Sequence, residues 1–160
     1  MIRGENYKVY YVLYTVAIAF IVLFRCPSLL AASYQKVYLS PSDVNKSIGS
    51  ELVVSVMYDV SDDNNKLAGV GVRFHYDSSK LEYLGHSNEF AFGLMSSPLE
   101  KLEDPMKTDS DPETDRMIVT GWASIQQSSW PGQDLPVKLI DYTFKVKSGI
   151  DSSDTSLNLG

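Results

Sequence analysis

Four carboxylates alternate along one short segment: Asp109, Asp111, Glu113 and Asp115. In an extended chain, alternate side chains point the same way, so several oxygens can face one centre. Calcium takes about six to eight oxygen ligands and suits flexible acidic loops. Asp109, Asp111, Glu113 and Asp115 are therefore the candidate calcium ligands, with Asp104 as a further one. The EF-hand pattern is absent, because the sixth position is not Gly and the twelfth is not Glu. The competing reading is a solvated acidic loop. Asp62, Asp63, Asn64 and Asn65 form a second oxygen-rich cluster, but a turn explains them fully, since Asp and Asn tolerate left-handed backbone and cap their own turns.

Trp122 and Trp130 are the tryptophans, and a pair of indoles can form a platform for sugar rings. Packing is the competing reading: Trp130 adjoins Pro131 and Gly132, where a ring covers the edge of a β core. Trp122 shares a face with Ile118 and Thr120, either outward or under a long loop. The opposite face of that strand carries Met117, Val119, Ala123 and Ile125. His75 and His86 lack the spacing of a metal site, and His75 falls with Arg73 on the outer face of its strand. Enzyme chemistry finds no support, since the chain has no nucleophile elbow, phosphate loop or HExxH.

The elements that must position these groups are strands. Leu52, Val54, Val56, Tyr58 and Val60 alternate with polar or smaller residues from Glu51 to Val60. Val70, Val72, Phe74 and Tyr76 alternate likewise after the polar turn at residues 61–65, which reads as a hairpin connection. Further strands are expected at Lys36–Leu39, Leu81–Leu84, Arg116–Ile125, Val137–Lys147 and from Ser156 on. In the 137–147 strand, Ile140, Tyr142, Phe144 and Val146 should face inward. From Gly85 to Asp115 the pattern breaks. A stretch of that length is functional, disordered or locally packed, and Phe90 and Phe92 argue for packing of its first half. Pro98 to Glu103 reads as a helical turn. The fold class is all-β, an antiparallel β-sandwich.

The N-terminus is organised differently. Arg3 and Lys8 precede an apolar run from Val9 to Phe24, and Ala31, Ala32 and Ser33 follow Pro27. This matches a signal peptide over residues 1–33, with an uncleaved anchor as the alternative. Cys26 falls within the leader. A mature domain of residues 34–160 then has no thiol and depends on core burial. It carries 11 basic against 19 acidic residues, a net charge of −8. That balance repels nucleic-acid phosphates.

The order and spacing of the strands resemble the cohesin family. Gly49-Ser50, Leu67-Ala68-Gly69, Phe74-His75-Tyr76-Asp77, Leu81-Glu82-Tyr83 and Leu139 to Lys147 carry the resemblance, over roughly residues 36–160. It implies a jelly-roll sandwich, secreted or at the cell surface, that binds a dockerin-like protein module. The segment from Pro98 to Asp115 is longer and more acidic than in that family. The last strand, from Thr155 to Leu159, reads as incomplete.

The leading expectation is a non-catalytic interaction module, with calcium as a stabilising ion. Val53, Ser55 and Met57 with Arg73 and His75 are the expected partner surface, because Val53 and Met57 fall on a face that should be polar. The alternatives are a polysaccharide-binding module using Trp122 and Trp130, and a structural spacer of a surface adhesin. No membrane insertion is expected after removal of the leader.

Overall fold

The computed structural model describes residues 33–41, 45–64, 66–124, 129–148 and 157–160. Its strands are β1 (Gln35–Pro41), β2 (Glu51–Val60), β3 (Lys66–Leu67), β4 (Gly69–Tyr76), β5 (Leu81–Ser87), β6 (Leu99–Glu103), β7 (Arg116–Ala123), β8 (Trp130–Pro131), β9 (Val137–Val146) and β10 (Leu157–Leu159). They form antiparallel sheets in the orders β1-β2-β9-β5 and β10-β4-β7-β6, with β3 and β8 paired separately. No helix occurs among the described residues. The leader expected over residues 1–33 lies outside them, Ser33 apart.

The two large sheets share one core. Period-two alternation sends Leu52, Val54, Val56, Tyr58 and Val60 of β2 inward. Val72, Phe74 and Tyr76 of β4 meet them from the other sheet. Phe74 lies edge-on to Tyr142 at 4.9 Å and stacked on Phe144 at 5.6 Å, so β4 and β9 are joined by rings across the gap. Ile140, Tyr142, Phe144 and Val146 face inward as their alternation requires.

The hairpin reading of residues 61–65 is corrected. β2 and β4 lie in different sheets, so this connection crosses from one sheet to the other. Its polar side chains still cap their own backbone: Asp62 accepts from the Asn64 amide at 3.2 Å, and Asn64 from the Lys66 amide at 3.0 Å. Ala68 separates β3 from β4, so the strand that carries Val70 to Tyr76 begins at Gly69. At Gly69, with φ +145°, a Cβ would stand 2.0 Å from the Trp122 carbonyl oxygen. Only glycine lets β4 start this close to β7.

Two further expectations are reversed. Residues 99–103 form β6 rather than a helical turn, since β7 offers a free edge: Leu99 pairs with Val119 and Leu102 with Met117, around a bulge where Lys101 has φ +55°. On β7, the core face is Ile118, Thr120 and Trp122. Thr120 can be buried because its hydroxyl hydrogen-bonds the Tyr142 phenol at 2.7 Å. Burial pushes that phenol up to about 12, so it stays protonated across the physiological range.

Phe144 is fully buried and touches Phe74, Tyr76 and Tyr83. Phe144→Ala is expected to cost about 3–5 kcal/mol, read as a lowered urea midpoint at unchanged strand content by circular dichroism.

Candidate functional site

The most unusual polar group lies on the outer side of β4. His75 alternates with the inward Phe74 and Tyr76, yet it is 0 % exposed. The connection between β6 and β7 folds over it. Asp104, at the end of β6, brings Oδ2 to 3.0 Å from the imidazole Nδ1, and Asp109 brings its own Oδ2 to 3.9 Å. Asp104 is 3 % exposed, and the Asp109 side chain is fully covered. The ligand atoms of His75, Asp104 and Asp109 lie within 4.8 Å of one another. Neither imidazole nitrogen has a hydrogen bond of acceptable geometry, despite the short approach of Asp104. These three residues could hold a divalent cation.

The carboxylates are held by the loop itself. Asp104 Oδ2 accepts from the Thr108 amide at 3.0 Å, and Asp109 Oδ2 from the Thr114 hydroxyl at 2.8 Å. Lys107 donates its ammonium to the Thr114 carbonyl. The expected calcium set does not converge. Asp109 turns toward His75, whereas Asp111 accepts from the Glu113 amide at 2.9 Å and Glu113 pairs with Lys80 at 3.0 Å. Asp115 holds the β4–β5 turn by accepting from the Ser78 amide and hydroxyl, both at 2.7 Å. Burial pushes the Asp115 carboxyl up, but these bonds with Arg116 and Lys107 outweigh it and hold the group below the usual range. Four alternating acids thus face different partners, because the backbone turns repeatedly here: Lys107 and Ser110 have φ +50° and +65°.

The expected partner surface is split. Val53, Ser55 and Met57 are half-buried on the outer face of the β1-β2-β9-β5 sheet, while Arg73 is exposed on the outer face of the other. His75 shares the side of Arg73 but is buried beneath the acidic loop, which corrects its placement at the surface. These residues cannot form one patch, since the core lies between the two sheets. The tryptophans are also corrected as a sugar platform. Trp122 and Trp130 are both buried, and their indole N–H groups donate to the Phe90 and Phe92 carbonyls at 2.8 and 3.0 Å. Neither ring offers a free face.

A different surface emerges from the pairing. On the outer side of the β10-β4-β7-β6 sheet, Gly71 pairs with Gly121, and Arg73 with Val119, which pairs with Leu99. Met95 joins the same side, because Leu94 bridges Trp122 and the Met95 amide donates to Gly121. The absence of side chains at Gly71 and Gly121 leaves a flat floor beside Met95 and Leu99, which are 67 % and 57 % exposed. Sequence reading missed Val119 because it assigned that residue to the core. The telling signal was one outward glycine in each strand, Gly71 and Gly121, which removes side chains from that part of the outer face.

On the opposite sheet, Ser55 serves a structural pair. Its hydroxyl donates to Asp141 at 2.5 Å, and Asn88 and Lys138 donate to the same carboxylate, each at 2.7 Å. At the sandwich edge, the Tyr83 phenol donates to Glu100 at 3.0 Å, and His86 lies between Glu100 and Glu89 at 2.9 and 2.6 Å.

No protein-family model matches the chain, and no curated protein or solved structure matches it either.

Burial pushes the Asp141 carboxyl up, but the bonds from Lys138, Ser55 and Asn88 prevail and hold it below the usual range. A carboxyl with a lowered folded pKa adds stability above the unfolded value of about 4, and loses it as the pH falls through the folded pKa. Asp141→Asn is therefore expected to lower stability by about 1–3 kcal/mol at pH 7. The gap to the unsubstituted protein should close below about pH 4, as read by urea unfolding across pH.

Proposed function

We propose that this chain is a non-catalytic interaction module: a cohesin-like sandwich of jelly-roll topology, exported behind the leader expected over residues 1–33. It takes a protein partner, a dockerin-like module, on the outer face of the β10-β4-β7-β6 sheet. The strand orders β1-β2-β9-β5 and β10-β4-β7-β6 support the topology. The observation that carries the function is the flat, apolar floor of Gly71, Gly121 and Val119, with Met95 and Leu99 exposed beside it and Arg73 flanking Val119 on β4. Apolar and arginine side chains around a level surface suit a protein partner, which needs shape complementarity with few fixed side chains in the way. A polysaccharide reading loses the two indoles it relied on, since both are buried. Calcium plays no part in this reading, because the expected ligands face separate protein donors.

Pull-down of the chain against dockerin-bearing proteins, beside a glycan array, tests the class of partner. Val119→Asp places a charge in the floor and is expected to weaken the complex at least about tenfold, or about 1.4 kcal/mol. Val53→Asp on the opposite sheet should leave it unchanged. Retention of glycan alone, or loss with Val53→Asp instead, would overturn the proposal.

A further inference from the structure

We infer that His75, Asp104 and Asp109 bind one divalent transition-metal ion of the zinc class, which pins the β6–β7 loop to β4. This stands apart from the partner surface, which neither requires nor predicts it.

The trio is buried and badly balanced without a cation. Two covered carboxyl groups face one imidazole, so with both acids ionised a single imidazolium cannot balance them. Among the described residues, no lysine or arginine ion pair reaches either carboxylate. Uncompensated buried charge is costly. The hydrogen bonds to the acids come from Thr108, the Asp111 amide and Thr114, which orient them but bring no charge.

His75 supplies the independent sign. It is fully buried, and neither ring nitrogen makes an acceptable hydrogen bond, although buried imidazoles ordinarily find partners. Nδ1 nevertheless stands 3.0 Å from Asp104 Oδ2. Two lone-pair atoms held close without a proton in line between them suit a shared cation. Ligand bonds of about 2.1 Å place neighbouring donors roughly 3.0–3.4 Å apart. The His75–Asp104 distance already fits, and Asp109, at 3.9 Å from Nδ1, needs only a small approach.

The donor types choose the ion. Calcium prefers oxygens throughout, whereas one imidazole nitrogen with two carboxylates suits zinc and its neighbours. The threonine and backbone donors around the acids form the outer shell such a site needs. Three protein ligands leave a coordination position for water.

The test uses the full chain after chelator treatment, titrated with zinc chloride by calorimetry and followed by thermal unfolding. One zinc per chain is expected, with a raised Tm. Calcium at the same concentration should leave Tm unchanged. Asp104→Asn and Asp109→Asn should each weaken binding at least about tenfold. His86→Gln should not, because His86 sits with Glu89 and Glu100 away from the trio. Should the Asp variants fail to fold, the unsubstituted chain still decides: it has two histidines, and zinc should shift the imidazole nitrogen resonances of His75. Absence of zinc binding, a response to calcium in place of zinc, loss of binding only in His86→Gln, or a shift confined to His86 would each overturn the inference. The trio would then be a buried ion pair only.

Discussion

Phe74 meeting Tyr142 and Phe144 across the gap between the sheets is the contact on which the rest depends. Cys26 is the chain's single cysteine, so no disulfide within the chain can substitute for it. Large rings bury much apolar surface and set the spacing of the layers. Once β4 and β9 are joined, β2 and β5 flank β9 in one sheet, with β1 beyond β2, and β7 and β10 flank β4 in the other, with β6 beyond β7. Tyr76 and Tyr83 close the same cluster against Phe144 at 5.2 and 5.5 Å.

Burying polar atoms in that core restricts what surrounds it. The Trp122 and Trp130 N–H groups need acceptors, and the carbonyls of Phe90 and Phe92 supply them. Residues 90–95 are thereby drawn along β7, with the Ala123 amide donating to Gly93 and the Met95 amide to Gly121. The connection between β5 and β6 is therefore part of the sandwich. This same path turns Met95 outward beside Gly121 and helps to create the flat face. Packing inside and the flat face outside are consequences of one hydrogen-bonding requirement.

The acidic loop answers to a different constraint. Asp115 holds the Ser78 turn, Glu113 reaches Lys80, and Asp104 and Asp109 close over His75. Each tie connects the loop to β4 or to the turn that follows it. The loop is long because it must leave β6, cover the outer end of β4 and return to β7 at Arg116. Its charge density suggests a solvated loop in the sequence. In the fold, two of its carboxylates are covered, and the chemistry of the loop belongs to its inner side.

Alternation alone was enough to identify β2, β4 and β9 and the inward sides of Val54, Phe74 and Tyr142, because a half-buried strand must repeat every second residue. The all-β class and the self-capping turn at Asp62 and Asn64 followed from equally local chemistry. β7 was read inside out, since Thr120 looks polar until Tyr142 supplies its partner. His75 was assigned correctly to the side opposite Phe74, yet its burial was invisible. What covers it comes from residues 104 and 109, roughly thirty positions away, and from Gly160, still farther along the chain, and period two reports only the side of a strand, never what lies on that side. Val53 and Arg73 likewise shared a parity but not a surface, because parity does not say which sheet a strand joins. Local periodicity thus determined the strands and their inner faces, whereas the partners of His75, Trp122 and Asp109 were decided by long-range packing, where a buried polar group takes whichever donor or acceptor the fold brings within reach.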